Sequence, residues 1–193
     1  MTDEILDSCI TTIKKNFSRL ELLIDSIIEM SEIEHGIHGL TLETVDFRYF
    51  MKEIQETYEN NGIKFFQFSS DTPIYIDIDA KNLRIVLNNL IDNAIKQTIS
   101  ADRMISVSCK ESQNTIQMYI SDNGIGIIKE NLEKIFDKFV SIPTEYAVDE
   151  TGISLYVVRQ IIRGHGGTIR AESPGVGQGS TFTIQLPRIQ NRL

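Results

Sequence analysis

Asn89, Asn93 and Lys96 stand at i, i+4 and i+7, so on a helix their side chains share one face. Further along comes the glycine-interrupted run Asp122-Asn123-Gly124-Ile125-Gly126. An Asn carbonyl oxygen is a hard ligand that suits Mg²⁺, an ion that keeps several waters and shares its other positions with phosphates. Lys96 offers a point charge to a phosphate oxygen. An ionised Asp122 can only accept hydrogen bonds, which suits an exocyclic amine such as that of adenine. The neighbouring glycines allow the backbone to come close to a ligand.

These groups must be held by the elements around them. Leu83, Val86, Leu87, Leu90, Ile91, Ala94 and Ile95 give the Asn-bearing segment an apolar stripe, which predicts a packed helix ending near Thr98. Before it, a strand from Thr41 to Val45 leads to Asp46, a good N-cap for a helix over Phe47 to Asn60. Asn61-Gly62 is a turn signal, and Ile63 to Phe68 and Ile74 to Ile78 have strand character. After it, Met104 to Lys110 and Thr115 to Ser121 are expected as a strand pair, and Lys129 to Phe136 as a short helix. Ser141 to Thr151 is expected as a loop, Ile153 to Arg163 as a helix, and Thr168 to Glu172 and Thr181 to Leu186 as closing strands. This order of helices and mixed strands suits an α+β domain, a two-layer α/β sandwich with one sheet face under helices.

At 193 residues the chain has room for one such domain and an appendage. The appendage is the N-terminal stretch, where Leu6, Ile10, Ile13, Phe17, Leu20, Ile24 and Ile27 alternate in steps of 4 and 3, a heptad seam that needs a partner helix. A formal net charge of −8 argues against a nucleic-acid or anionic-membrane surface. Cys9 and Cys109 allow a single disulfide, but reduced core thiols in a cytosolic protein are the expectation. No apolar run is long enough to span a bilayer, and no signal peptide is expected. The chain is therefore expected as cytosolic, alone or as part of a larger, membrane-anchored sensor.

Asn89 through Thr98 resembles the N box of sensor histidine kinases, within the wider Bergerat-fold ATPase and kinase superfamily. Asp122 to Ile127 is similar to the first glycine box of that family, and Ile135-Phe136-Asp137-Lys138-Phe139 to its phenylalanine box. Gly152-Ile153-Ser154-Leu155, Gly164-His165-Gly166-Gly167 and Gly179-Ser180-Thr181-Phe182 follow in the family's order. The resemblance implies residues 1–39 as the second helix of a dimerisation and phosphotransfer bundle with its linker, and residues 40–193 as the catalytic ATP-binding domain. It implies ATP and Mg²⁺ as cofactors, a response regulator receiver domain as partner, and a homodimer through the N-terminal helix. Asn93 would hold the metal. Asn89 and Lys96 would be catalytic, Asn89 lacking the basicity of the Glu with which ATP-hydrolysing members activate water. Nucleotide would be bound by Asn89, Asn93, Lys96, Asp122, Gly124, Gly126, Ile127, Phe139, Gly152, Ser154, Leu155, Ser180 and Thr181.

Two features depart from the pattern. The alternating glycines of the second glycine box become Glu150, Gly152 and Ser154, and the adjoining Ser141 to Asp149 carries Glu145 and Asp149 but no cation. A carboxylate where a triphosphate approaches is a like-charge conflict. The alternative function is thus a degenerate, pseudokinase-like regulatory module with weak or no nucleotide binding. The acceptor histidine is not expected among His35, His38 and His165, which stand in the linker and in the ATP domain.

Overall fold

Two aspartates start the helices that carry the domain. Asp46 accepts from the Arg48 N–H at 3.0 Å and opens α1 (Phe47–Thr57); Asp79 accepts from the Asn82 N–H at 3.0 Å and opens α2 (Ala80–Gln97). Each carboxylate satisfies a first-turn N–H that a helix cannot satisfy by itself. α1 stops earlier than its pattern suggests, giving way to a 3-10 turn at Glu59–Asn61 and then to Gly62 at φ 70°. That left-handed residue ends the 3-10 turn, a conformation that glycine adopts at no steric cost.

The computed structural model describes residues 40–65, 72–98, 102–140 and 152–188, together with Ile13, Phe17, Ile24 and Ser31. Those four single positions are helical and exposed. The remainder of the expected bundle helix, with Cys9, His35 and His38, lies outside the described residues, as does the acidic run with Glu145, Asp149 and Glu150.

β1 (Glu43–Asp46) pairs antiparallel with β3 (Tyr75–Ile78). The main sheet sets β2 (Lys64–Phe65), β4 (Ile105–Glu111), β5 (Thr115–Asp122), β7 (Ser180–Pro187) and β6 (Thr168–Glu172) side by side in that order. β2 runs parallel to β4, and the other neighbours are antiparallel. One face of this sheet is covered. Ile116, Met118 and Ile120 on β5 and Phe182, Ile184 and Leu186 on β7 are all buried, alternating as a half-covered strand requires. Against them pack α2, through Leu83, Val86, Leu87, Leu90, Ile91 and Ala94, and α3 (Ser154–Gly164), through Val157, Val158, Ile161 and Ile162. The opposite face carries Gln117, Tyr119, Ser121, Thr181 and Gln185. The domain is the two-layer α+β sandwich its pattern implies.

Lys129 to Phe136 forms two 3-10 turns, Lys129–Asn131 and Lys134–Phe136, in place of the expected α-helix. So short a stretch barely covers the cost of helix nucleation, and tertiary anchors hold it instead: Ile135 and Phe136 are buried, and Phe136 meets Phe182 edge-to-face at 6.2 Å. Cys109 is a free thiol packed against the core, and burial pushes it up to about 12, so it stays protonated.

His165, just past α3, is buried and structural. Its Nδ1 donates to the Ile161 carbonyl at 2.8 Å, and its Nε2 accepts the Asp79 N–H at 2.9 Å. This pair of bonds requires the neutral Nδ1–H tautomer and ties the end of α3 to the start of α2. Burial works against ionisation of Asp79, but hydrogen bonds from Asn82 and from the Thr41 N–H outweigh it and hold the carboxyl below its ordinary value. A charge on His165 would act in the same direction; the neutral tautomer removes that contribution.

Replacing His165 by Ala leaves the Asp79 N–H buried without an acceptor, with an expected loss of roughly 1–3 kcal/mol in denaturant unfolding. Asp79 stabilises the fold above the carboxylate's unfolded pKa of about 4, and that contribution disappears as pH falls through its lower folded value. The stability gap between wild type and Asp79→Asn should therefore narrow on acidification below about pH 4; a gap that stays constant down to the acid transition contradicts this assignment.

Candidate functional site

The polar face of α2 opens onto a cleft between that helix, the glycine loop after β5 and the start of β7. The cleft holds about 630 Å³ of space between its walls, part of it open to solvent at the mouth. Its walls are apolar, formed by Ile125, Ile127, Ile135, Val140, Leu155 and Phe182. Its polar groups are Asn93, Gln97, Asp122 and Ser180.

Asp122 ends β5 and Ser180 begins β7, and sheet pairing sets the two directly opposite each other. The Ser180 hydroxyl donates to Asp122 Oδ2 at 2.6 Å, and the Gly124 N–H donates to Oδ1 at 2.8 Å. Both oxygens are thereby fixed, yet an ionised carboxylate has about four acceptor positions. The remaining positions are open to a donor from a ligand or from water. Such an acceptor at the end of an apolar slot suits a flat heterocycle bearing an amine. Asn123 serves the scaffold: its Oδ1 accepts the Met104 N–H at 2.8 Å and its Nδ2 donates to the Asp102 carbonyl at 2.8 Å.

Of the residues expected at the site, Asn93, Asp122, Gly126, Ile127, Leu155 and Ser180 line this cleft. Asn89 stands one turn before Asn93, and its Nδ2 donates to the Ile85 carbonyl at 3.0 Å, so its side-chain oxygen is the group it can present to a ligand. Gly124 acts through the Asp122 carboxylate. Lys96 is exposed in the last turn of α2. Phe139 is exposed and takes φ 62°, a strained conformation for an aromatic residue, and its N–H donates to the Gly152 carbonyl at 3.0 Å. Ser154 is the exposed first residue of α3. Thr181 belongs to the other side of the sheet: strand alternation turns it away from Ser180, and its hydroxyl pairs with Ser121 at 2.9 Å.

Gln97 and Phe182 reach the cleft without having been singled out in the sequence. Each had a signal, since Gln97 is one turn beyond Asn93 and Phe182 two residues beyond Ser180 on the same strand face. Ile125, Ile135 and Val140 had none, because their place depends on how the loops close. Among the described residues no group of three or more His, Cys, Asp or Glu could cage a metal ion. The donor set fits a cation carried largely by ligand phosphates and water, with a protein amide completing its shell.

Residues 78–190 match the family described as histidine kinase-, DNA gyrase B- and HSP90-like ATPases, more than half of the chain. The chain belongs to that family. Among curated proteins it is similar to the sensor protein RprX of Bacteroides fragilis (strain YCH46), 32% identical over 90% of this chain and 34% of that protein. It is also similar to the sensor histidine kinase WalK of Bacillus subtilis (strain 168), 28% identical over 88% of this chain and 28% of that protein. The chain thus spans about a third of the length of these relatives. Among solved structures, full-length ShkA in complex with AMPPNP superposes with a TM-score of 0.72 at 21% identity, over 96% of this chain and 39% of that one. Histidine kinase ThkA, in complex with the response regulator protein TrrA, gives 0.69 at 23% identity, over 97% and 53%. At these identities the structures establish a shared fold.

Gly126 sits at φ 68°, and a Cβ there would overlap the Gly175 carbonyl; Gly177 sits at φ 75° with open space around it. Gly177→Ala should therefore cost only its backbone strain, about 1–2 kcal/mol. Gly126→Ala adds a displaced loop and should lose clearly more in chemical denaturation; equal losses contradict the close approach.

Proposed function

We propose that this chain is the nucleotide-binding catalytic part of a sensor histidine kinase of a two-component system, transferring the γ-phosphoryl group of ATP to a histidine other than His35, His38 and His165. The observation that carries this is the cleft itself: an apolar slot with one fixed carboxylate at its base end and amides along one wall. Asp122 accepts the adenine amine. The apolar walls enclose the ring. Asn93 and the Asn89 carbonyl oxygen face the phosphates and complete the shell of a phosphate-bound Mg²⁺.

Asp122 is the only carboxylate lining the described cleft, and its oxygens are engaged at the base end. At the phosphate end stands the Asn89 amide, which has no basicity at neutral pH. That amide does not deprotonate water, which supports the γ-phosphoryl group being kept for an acceptor. A histidine nitrogen attacks phosphorus in line, and the β–γ bridging oxygen leaves on ADP. Positioning and charge neutralisation supply catalysis of this kind. By analogy with the ThkA complex, a response regulator takes the phosphoryl group next, and the whole kinase is proposed to work as a homodimer in the cytoplasm, through the N-terminal helix.

Calorimetric titration with ATP and ADP, with and without Mg²⁺, tests the proposal. Mg²⁺-enhanced binding in the micromolar range, roughly 8 kcal/mol, is expected, with little phosphate release on its own. Asn93→Ala should abolish the Mg²⁺-dependent part while Mg²⁺-free ADP still binds. No binding at millimolar nucleotide would overturn the catalytic assignment and favour a regulatory module.

A further inference from the structure

The glycine loop after β5 lies against the loop between β6 and β7 without any strand pairing between them. Backbone bonds close two positions of this contact: the Gly179 N–H donates to the Gly124 carbonyl at 3.1 Å, and the Gly177 N–H to the Ile125 carbonyl at 2.7 Å. A third is closed by a side chain. The Ile127 N–H donates to Ser173 Oγ at 3.0 Å, and the Ser173 hydroxyl donates onward to the Gly179 carbonyl at 2.6 Å. The Gly175 N–H also approaches Ser173 Oγ, at 3.3 Å. One half-buried hydroxyl thus joins Ile127, in one wall of the cleft, to the residue preceding Ser180, which holds Asp122.

Ser173 does not line the cleft and cannot touch a ligand there. It nevertheless spans both structures that do: the Gly126–Ile127 wall and the Asp122–Ser180 pair. No backbone group stands in for it, because the chain turns at Ser173 to let Gly175 close on Gly126. We propose that Ser173 is a positioning residue for the cleft, its hydroxyl setting the distance between the Gly126–Ile127 wall and the Asp122 carboxylate to the thickness of the bound base. This rests on the nucleotide-binding assignment above.

The test combines nucleotide titration, thermal melting and amide exchange on wild type, Ser173→Ala and Ser173→Thr. Loss of one hydrogen bond at this wall is expected to weaken ADP binding about tenfold in Ser173→Ala, with a small change in melting temperature and recovery in Ser173→Thr, which keeps the hydroxyl. Exchange at the Ile127 amide should accelerate by a similar factor while the α2 amides keep their protection. Unchanged ADP affinity in Ser173→Ala, with wild type binding normally, overturns the proposal and leaves the nucleotide assignment standing. So does a loss of affinity that Ser173→Thr does not restore, or one matched by lost protection across α2, which marks general destabilisation. If wild type binds no nucleotide, the nucleotide assignment fails and the positioning role fails with it, even where the Ile127 amide shows the predicted acceleration.

Discussion

Burial of one stripe of α2 against the sheet governs the rest of this molecule. Leu83, Val86, Leu87, Leu90 and Ile91 have essentially no exposed surface, and each fully buried side chain of this kind contributes about 1.5–3 kcal/mol. Rotation of the helix about its axis would expose several of them at once. The phase of α2 is therefore fixed by hydrophobic burial, and the polar face with Asn89, Asn93 and Gln97 is fixed with it. Polar contacts to α1 supplement this: Arg84 pairs with Glu53 at 2.7 Å, and the Tyr58 hydroxyl donates to Asp92 at 2.9 Å. The ion pair is partly exposed and contributes at most about 1 kcal/mol. It refines the helix position but does not set it.

The second dependence runs through the sheet. Antiparallel pairing of β5 with β7 places Asp122 beside Ser180 across a long sequence separation. The register is held by the alternation of Ile116, Met118 and Ile120 with polar neighbours, since a one-residue slip would turn those apolar side chains to the polar face. The orientation of one carboxylate in the cleft is thus a consequence of core packing further along the same strands. The Asp79–His165 bond similarly joins the start of α2 to the end of α3.

Much of this was legible in the chain. The 3.6-residue recurrence of the α2 stripe, the aspartate caps and the alternation of the strands led to a two-layer α+β sandwich, and Asn93 and Asp122 were identifiable by their chemistry. Less was legible at the loops. Lys129 to Phe136 has a helical pattern but settles as two 3-10 turns, because the burial of Ile135 and Phe136 outweighs weak local propensity. Ser180 and Thr181 looked equivalent as nucleotide-binding hydroxyls. Pleating separates them, sending one hydroxyl to the carboxylate and the other to Ser121.

Residue type and periodicity determined by themselves which segments could be helix or strand, which faces had to be buried, and which side chains could accept an amine or meet a metal-bound phosphate. These are local properties of a chain seeking to remove apolar surface from water. Only the tertiary structure decided that Gln97 and Phe182 complete the cleft, that Lys96 stands exposed, that His165 is a buried neutral linker, and that Ser173 bridges two loops. The His165 and Ser173 assignments depend on hydrogen-bond partners far away in sequence, and the spacing of residues along a chain carries no information about which distant carbonyl or amide a side chain will meet.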